Sequence, residues 1–299
     1  MDNSANPDLS VIVVTLVGAG PLRRCLAALA AQEDAPVMEI IVPADEKLGE
    51  TAVLQQEFPV VQFLSLAGRR TYAELRALGV QKARAGVVAI TEDHCLPNPR
   101  WCCEIMTAHE TNPAAAIGGP VAKEAPDAPL NWAIYFADYL RYAPPVTAGE
   151  THELTDLNVT YKRAALAKIG EVWAAEFHEN AVHAALAANG ETLWLAPELA
   201  VNQRRQMTLG QALRDRYAFG RLFASTRVQM GSAGQRLLFL ATAVLVPFLL
   251  TWRVFGLIRQ KGRRQAEFWR ALPHLLLVNS AWAFGEFVGY LTGKPTDLP

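Results

Sequence analysis

Short apolar runs alternate with amphipathic stretches in the N-terminal part of the chain, and this alternation restricts the fold more than any other feature. The apolar runs are typical of strands buried on both faces, and they are Leu9–Val17, Met38–Val42, Val60–Leu66 and Val87–Thr91. Helical patterns occupy Leu22–Gln32 and Thr71–Ala85, and Gly86 is expected to cap the second helix. The alternation predicts an α/β fold with a mostly parallel sheet and right-handed crossovers. Ligands bind at the carboxyl ends of such strands, so functional residues are expected just after these runs.

Composition predicts a large core and two parts of opposite charge. Hydrophobic residues make up 51% of the chain and charged residues 19%, which excludes bulk disorder and a collagen-like fibre. Residues 203–299 contain 14 Lys and Arg against 4 Asp and Glu, a net charge of +10, whereas the remaining residues, with 14 against 25, have a net charge of −11. The total of −1 gives no reason to expect nucleic acid as a partner. A basic C-terminal third that also holds the longest apolar runs predicts contact with anionic membrane lipids.

The cysteines predict neither a disulfide framework nor a zinc site. There are four, Cys25, Cys95, Cys102 and Cys103, and no two of them have CxxC spacing. Reduced thiols in a cytosolic domain are therefore expected. The start of the chain, residues 1–7, has no basic segment, and no signal peptide is predicted.

Two acids and a histidine follow the fourth predicted strand directly. Glu92, Asp93 and His94 come immediately after Thr91, where unpaired charge is costly to bury. A divalent cation that also binds a diphosphate would satisfy this cluster, because carboxylates suit hard cations. An acidic loop before a helix that begins near Asn98 and Pro99 explains the same residues structurally. These residues alone leave both explanations open.

Seven segments carry recognisable motifs in a fixed order between about residues 9 and 203. They are 9–32, 39–42 (EIIV), 72–86, 90–101 (ITEDHCLPNPRW), 117–120 (IGGP), 157–166 (LNVTYKRAAL) and 169–197. Together they resemble family 2 glycosyltransferases, which are enzymes of the GT-A fold, a Rossmann-like domain with a mostly parallel sheet. The resemblance implies transfer of a sugar from a nucleotide-sugar donor, with inversion at the anomeric carbon.

The resemblance also implies a set of site residues. Glu92, Asp93 and His94 fill the three places of the acidic metal motif, so Asp93 and His94 are expected to bind a divalent metal, Mn²⁺ or Mg²⁺. Imidazole suits Mg²⁺ poorly, and His94 therefore leaves the metal dependence open. The residues expected to bind substrate are Asp45, Arg76, Glu92, Asp93, Gly119, Asn158 and Arg214. Asp45 is included because the family usually has an Asp that contacts the nucleotide base directly after the second strand, and Pro43 occupies that place here. Arg214 is included because residues 211–214 match the first four places of the family motif Q-x-x-R-W.

Glu179 is the residue that the resemblance implies as the catalytic base. It takes the place of the family's catalytic Asp when the count runs back from Gly190 without a gap. A one-residue deletion would instead align Glu179 and Asn180 with the family's Glu-Asp pair and leave an inert amide at the base position. A glutamate is competent as a general base. The structural explanation is an acid favoured by the dipole at a helix N-terminus.

The C-terminal third has the pattern of a membrane region. Thr208–Arg227 predicts a basic amphipathic helix that lies in the membrane interface. Leu237–Trp252 has 16 residues without charge, and Ala271–Leu291 has 21 with only Glu286 charged, so two membrane helices are predicted. The basic loop between them would lie outside if both helices span and the catalytic body is cytoplasmic. One alternative is that both helices span the membrane although the basic loop then lies outside. The other is that one or both helices are re-entrant or lie in the interface.

The sequence therefore predicts a GT-A glycosyltransferase domain over residues 1–203, an amphipathic interfacial region over 204–235, and two membrane helices over 236–299. The expected function is a membrane-bound inverting glycosyltransferase at the cell inner membrane, with the catalytic domain cytoplasmic. Its expected partners are a nucleotide-sugar donor, a lipid or glycan acceptor and membrane lipids, with no nucleic acid. A nucleotide-sugar phosphotransferase is the alternative enzyme. A non-catalytic GT-A-like membrane scaffold with a degraded metal motif is the alternative outside enzymes.

Overall fold

The computed structural model describes residues 6–124, 126–230 and 233–294, which form two compact units. The first unit comprises Met1–Glu124 and Tyr142–Arg205, and the second comprises Ala125–Arg141 and Gln206–Pro299. The predicted boundaries at 203 and 235 stay a prediction.

The first unit is built on two sheets with helices between their strands. Its strands are β1 (Leu9–Val14), β2 (Met38–Ala44), β3 (Val61–Ser65), β4 (Val87–Glu92), β5 (Cys95–Pro97), β6 (Ala116–Gly118), β7 (Val121–Ala122), β8 (Gly149–Thr151), β9 (Asn158–Lys162), β10 (Leu193–Leu195) and β11 (Val201–Gln203). Its helices are α1 (Ala19–Ala30), α2 (Thr51–Glu57), α3 (Tyr72–Lys82), α4 (Trp101–Thr111), α6 (Arg163–Ala167), α7 (Gly170–Trp173) and α8 (Glu179–Ala188), with α5 (Pro129–Asp138) in the second unit.

The large sheet has the order β3-β2-β1-β4-β9-β6-β10-β8, and β5-β11-β7 form a small second sheet. The first four strands of the large sheet are parallel, as predicted, but β9 runs antiparallel to both β4 and β6. The register pairs Val14 with Glu92 and Thr91 with Asn158. The carboxyl ends of β1 and β4 therefore meet the amino end of β9 at one edge of the sheet. This edge holds the candidate site.

Two elements end earlier than their patterns predict. The first strand stops at Val14 rather than Val17, because the next backbone N–H groups bind a carboxylate instead of a neighbouring strand. Helix α3 stops at Lys82, and Ala83 is its C-cap with φ of −63°, so the prediction that Gly86 caps this helix is wrong. The chain leaves the helix there because the backbone N–H of Ala85 donates to the hydroxyl of Ser10.

The core of the first unit lies on both faces of the parallel strands. All six residues of β1 are buried, which agrees with a strand covered on both faces. The apolar stripe of α1, Leu22, Leu26 and Leu29, is fully buried. Gly79 of α3 is required on the other face, because a Cβ there would collide with the Ile12 side chain of β1. These contacts fix the edge of the sheet on which the site is built.

The second unit is helical and contains α5, α9 (Leu209–Met230), α10 (Ala233–Thr242), α11 (Val246–Lys261) and α12 (Gln265–Thr292). Helix α12 packs closely along α9, since a Cβ at Gly220, Gly285 or Gly289 would collide with the backbone of the facing helix. Glycines at these three positions allow the two helix backbones to approach closely. Arg216 of α9 donates to Asp138 of α5 and binds it to this helix pair.

One long segment of the second unit is apolar and largely exposed. Among the described residues, Gly234–Lys261 is the one helical segment whose length and composition suit a bilayer span. A short 3-10 turn at Ala243–Leu245 divides it. Its exposed apolar side chains are Leu237, Leu238, Val244, Leu245, Phe248, Leu249 and Trp252. The first predicted membrane helix lies in this segment, whereas the second lies in α12, one face of which is buried.

Candidate active site

Asp93 joins the ends of β1 and β4. It directly follows β4, and its Oδ2 atom accepts hydrogen bonds from the backbone N–H groups of Leu16, Val17 and Gly18 at 2.8, 2.7 and 3.0 Å. Its own backbone N–H donates to the carbonyl of Val14 at 3.0 Å. Three backbone N–H groups of one loop thus converge on a single carboxylate oxygen. Asp93 therefore holds the loop between β1 and α1 in a fixed shape.

The other oxygen of Asp93 points at His94. Asp93 Oδ1 lies 3.5 Å from His94 Nδ1, too far for a good hydrogen bond, and both side chains are fully buried. Asp93 Oδ1 and both ring nitrogens of His94 have no hydrogen-bond partner among the described residues. Burial lowers the pKa of His94, which keeps the imidazole neutral and able to bind a metal.

Asp93 Oδ1 and His94 Nδ1, both without a hydrogen-bond partner among the described residues, are a suitable pair of donors for a metal ion. An oxygen and a neutral imidazole nitrogen suit Mn²⁺ better than Mg²⁺. Within residues 6–124, 126–230 and 233–294, no group of three or more His, Cys, Asp or Glu side chains could hold a metal ion. Asp93 and His94 therefore fit a metal only if a substrate such as a diphosphate completes its coordination.

Arg76 connects three carboxylates at the same edge of the sheet. Its Nη2 atom donates to Glu92 Oε1 at 2.9 Å and to Asp156 Oδ2 at 2.5 Å, and its Nη1 atom donates to Glu179 Oε2 at 3.4 Å. The guanidinium is only 7% exposed, and such a buried charge needs partners of opposite sign. Helix α3 supplies the arginine, and the carboxylates come from the end of β4, the turn before β9 and the start of α8.

The charges around Arg76 do not balance. Burial lowers the pKa of Arg76, but its three acidic neighbours together raise it above the ordinary value, so the residue is charged. Burial, followed by the nearby Asp156, raises the pKa of Glu92 to about 8. Arg205 lies near enough to lower the pKa of both Glu92 and His94. Glu92, Asp156 and Glu179 against Arg76 and Arg205 leave one surplus negative charge, which a proton or a cation would balance.

Glu179 lies at the first position of α8, with its side chain 25% exposed. Burial and the neighbouring Asp156 raise its pKa above the ordinary value. The contact with Arg76 is weak, because 3.4 Å is well beyond the usual length of a charge-assisted hydrogen bond. A partly exposed carboxylate with a raised pKa has the properties of a general base.

Asp156 is a site residue that the sequence analysis missed. It precedes β9 by two residues, and its side chain is 27% exposed beside that of Glu179. Its Oδ1 atom accepts a hydrogen bond from the hydroxyl of Thr155 at 3.3 Å. The only signal in the sequence is an acid two residues before Asn158, and the antiparallel path of β9 is what brings it to Arg76.

The remaining predicted site residues are not brought to this cluster. Asp45 follows β2 and accepts hydrogen bonds from the backbone N–H groups of Lys47 and Arg70, both at 3.0 Å. Asn158 is fully buried, accepts a hydrogen bond from the indole of Trp101 at 3.0 Å and donates to the carbonyl of Leu199. Substrate binding by Asp45 and Asn158 stays a prediction.

Gly119 and Arg214 have different settings. A Cβ at Gly119 would collide with the backbone carbonyl of Leu199, which explains the glycine by close backbone approach. Arg214 is an exposed residue of α9 in the second unit. Their roles in substrate binding also stay predictions.

Comparison with known proteins identifies a family. The model of the family described as glycosyl transferase family 2 matches residues 10–170, more than half of the chain. No curated protein sequence matches the chain.

Three solved structures share the fold at low sequence identity. Mannosyltransferase PcManGT from Pyrobaculum calidifontis, in complex with GDP-Man and Mn²⁺, is 14% identical with a TM-score of 0.54, over 93% of this chain and 87% of that one. S. aureus TarS 1-349, in complex with UDP-GlcNAc, is 16% identical with a TM-score of 0.51, over 73% of this chain and 65% of that one, which is less than two thirds. GalNAc-T7 with UDP, GalNAc and Mn²⁺ is 12% identical with a TM-score of 0.51, over 68% of this chain and 44% of that one. The GT-A fold with a C-terminal helical region, predicted from the sequence, is confirmed.

Proposed function

The chain belongs to glycosyl transferase family 2 and is a glycosyltransferase, and we propose that it is a membrane-bound, inverting enzyme of the cell inner membrane with a cytoplasmic catalytic domain. It moves a sugar from a nucleotide-sugar donor to a lipid-linked or polysaccharide acceptor. The observation that supports this most is the partly exposed Glu179 carboxylate, with its raised pKa, at the edge of the sheet where β4 ends. Family membership favours an enzyme over the non-catalytic scaffold.

In the proposed reaction Glu179 is the general base. One of its oxygens accepts the proton of the acceptor hydroxyl while the hydroxyl oxygen attacks the anomeric carbon of the donor sugar. The bond between that carbon and the diphosphate oxygen breaks on the opposite face, and the nucleoside diphosphate leaves with the electron pair. A single displacement of this kind inverts the anomeric configuration and needs one base and a positioned leaving group.

The donor diphosphate is expected at the edge of the sheet that Asp93 organises. Asp93 Oδ1 and His94 Nδ1 are the atoms that would hold a divalent metal, Mn²⁺ rather than Mg²⁺. When bound, such an ion supplies positive charge that stabilises the leaving diphosphate. The bound structures of PcManGT and GalNAc-T7, which contain Mn²⁺, support this proposal.

The rest of the proposed donor site consists of the predicted residues. Arg76 holds Glu92 in place at 2.9 Å, and Glu92 is expected to orient the donor sugar. Asp45 at the end of β2 is expected to contact the nucleotide, and Asn158 and Gly119 to shape the sugar side.

Membrane attachment is supported by the second unit. The segment Gly234–Lys261 is apolar and long enough to span a bilayer, and only 22% of its most apolar part is buried within the fold. Lys and Arg outnumber Asp and Glu by 14 to 4 in residues 203–299, which favours anionic lipid. A lipid-linked acceptor follows from this attachment, because such an acceptor is itself held in the membrane.

The test is donor turnover by the purified, detergent-held protein. A panel of nucleotide sugars is assayed for binding and for transfer or hydrolysis, with Mn²⁺, with Mg²⁺ and with EDTA. We expect one donor to bind and react, faster with Mn²⁺ than with Mg²⁺. Binding of no donor under any of these conditions would contradict the proposed function.

A further inference from the structure

Arg76 is shared unequally among Glu92, Asp156 and Glu179. Arg76 Nη2 is shared between Glu92 at 2.9 Å and Asp156 at 2.5 Å, whereas Glu179 receives only Nη1 at 3.4 Å. The two better-placed carboxylates thus share the N–H groups of Nη2, and Nε has no hydrogen-bond partner among the described residues. A closer arginine would make Glu179 a weaker base, because an opposite charge favours the unprotonated carboxylate.

The hydrogen bonds of Asp156 favour a positioning role over that of proton acceptor. Both of its oxygens are engaged, Oδ2 with Arg76 and Oδ1 with the hydroxyl of Thr155. Thr155 is buried and its carbonyl accepts the backbone N–H of Asn158 at 3.1 Å, so the turn that carries Asp156 is tied to the start of β9. The carboxylate is therefore held in one orientation, toward Arg76.

We propose that Asp156 is a positioning residue, which draws Arg76 away from Glu179 and places a second negative charge beside it, so that Glu179 stays basic enough to take the acceptor proton. The inference rests on the proposed role of Glu179. The titratable groups that face Glu179 are Arg76 of α3, Asp156 before β9, the phenol of Tyr161 of β9, and His178, the residue that precedes α8. Asp156 is the largest of the charge effects on Glu179 and acts to raise its pKa.

The test is the pH dependence of kcat/KM in Asp156→Asn and Asp156→Ala. Loss of the charge frees Arg76 Nη2 for Glu179, so the acid limb of the profile should move about one pH unit lower. The matched control is Asp34→Asn, which neutralises an exposed aspartate that also pairs with an arginine, at 2.7 Å. Thermal unfolding identifies which of the two neutral variants is folded, and either one suffices. Asp156→Glu, which keeps the charge, should restore the profile of the unmodified enzyme.

Glu179→Gln separates failure of this inference from failure of the proposed function. If Glu179→Gln is inactive and a folded neutral Asp156 variant keeps the original acid limb, or moves it upward, the positioning role is overturned. Loss of turnover at every pH in Asp156→Asn, as complete as in Glu179→Gln, would also overturn it, because Asp156 would then act directly. Full turnover in Glu179→Gln would instead overturn the proposed base.

Discussion

Arg76 Nη1 lies 3.4 Å from Glu179 Oε2, although the two residues are 103 positions apart in the chain. The contact joins the middle of α3 to the first residue of α8, and the same guanidinium reaches the end of β4 through Glu92. One buried cation thus fixes three separate elements around the candidate base. The site depends on this arginine for its shape as well as its charge.

Arg76→Met is expected to destabilise the fold strongly. The substitution leaves Glu92, and partly Asp156 and Glu179, without their counter-charge, and breaking a buried ion pair in this way costs about 3–5 kcal/mol. Arg100→Met is the control, because Arg100 is 51% exposed and pairs with Asp34, which is 70% exposed, at the surface, where a salt bridge contributes at most about 1 kcal/mol. Urea unfolding of the two variants measures the difference. Equal free energies of unfolding would show that Arg76 is not the structural centre of the site.

Asp93→Asn is expected to loosen the loop between β1 and α1 and to weaken donor binding at least about tenfold. The amide keeps one oxygen but loses the charge that strengthens three hydrogen bonds from backbone N–H groups. Asp8→Asn is the control, since Asp8 accepts one backbone N–H at an exposed position. Calorimetric titration with the reactive nucleotide sugar and Mn²⁺ gives the affinities. Unchanged affinity in Asp93→Asn would remove Asp93 from the donor site.

The pH dependence of turnover follows from the raised pKa of Glu179. Only the unprotonated carboxylate accepts a proton, so kcat/KM should rise with pH and reach half its maximum above 4.5, the ordinary value for glutamate. Stability responds in the opposite direction. The folded chain binds this proton more tightly than the unfolded chain, so the contribution is complete below pH 4.5 and is lost as pH rises through the folded-state pKa. Kinetic and unfolding measurements across this range test both signs, and an acid limb at or below 4.5 would contradict the shift.

Membrane binding is expected to depend on the exposed apolar side chains of α11. The double substitution Phe248→Asp and Leu249→Asp puts two charges on residues that are 65% and 57% exposed, at a cost of about 2.5–3.5 kcal/mol each if they lie in the bilayer. Val60→Asp is the control, because Val60 is 84% exposed but lies in the first unit. In a flotation assay with phosphatidylglycerol vesicles, the control should rise with the vesicles and the double variant should not. Recovery of both would place the membrane contact elsewhere.

Much of the first unit could be predicted from the sequence. Buried parallel strands require continuous apolar runs, so β1 and β4 are visible in the sequence, and the acids after Thr91 are visible because they interrupt such a run. Glu179 was predicted at a helix start, and the structure places it at the first residue of α8. These features are local, and local patterns are what a single sequence reveals.

The connections between distant residues could not be predicted. Asp156 and Arg76 are 80 positions apart, and they meet because β9 runs antiparallel next to β4, a pairing that no periodicity specifies. The end of β1 was missed for the same reason, since Leu16 and Val17 bind Asp93, 77 and 76 residues away. In α12, a long apolar run predicted a membrane helix, but hydropathy cannot distinguish the face that packs on α9 from one that faces lipid.

The central claim is that this glycosyltransferase uses Glu179 as its base. The most direct measurement compares Glu179→Gln with Glu176→Gln, an exposed glutamate three residues earlier, in both donor affinity and turnover. We expect Glu179→Gln to bind the donor as the unmodified enzyme does and to lose about 10²–10⁴-fold in kcat, the usual contribution of a general base. Glu176→Gln should retain full turnover. Unchanged kcat in Glu179→Gln, with donor affinity intact, would contradict the account.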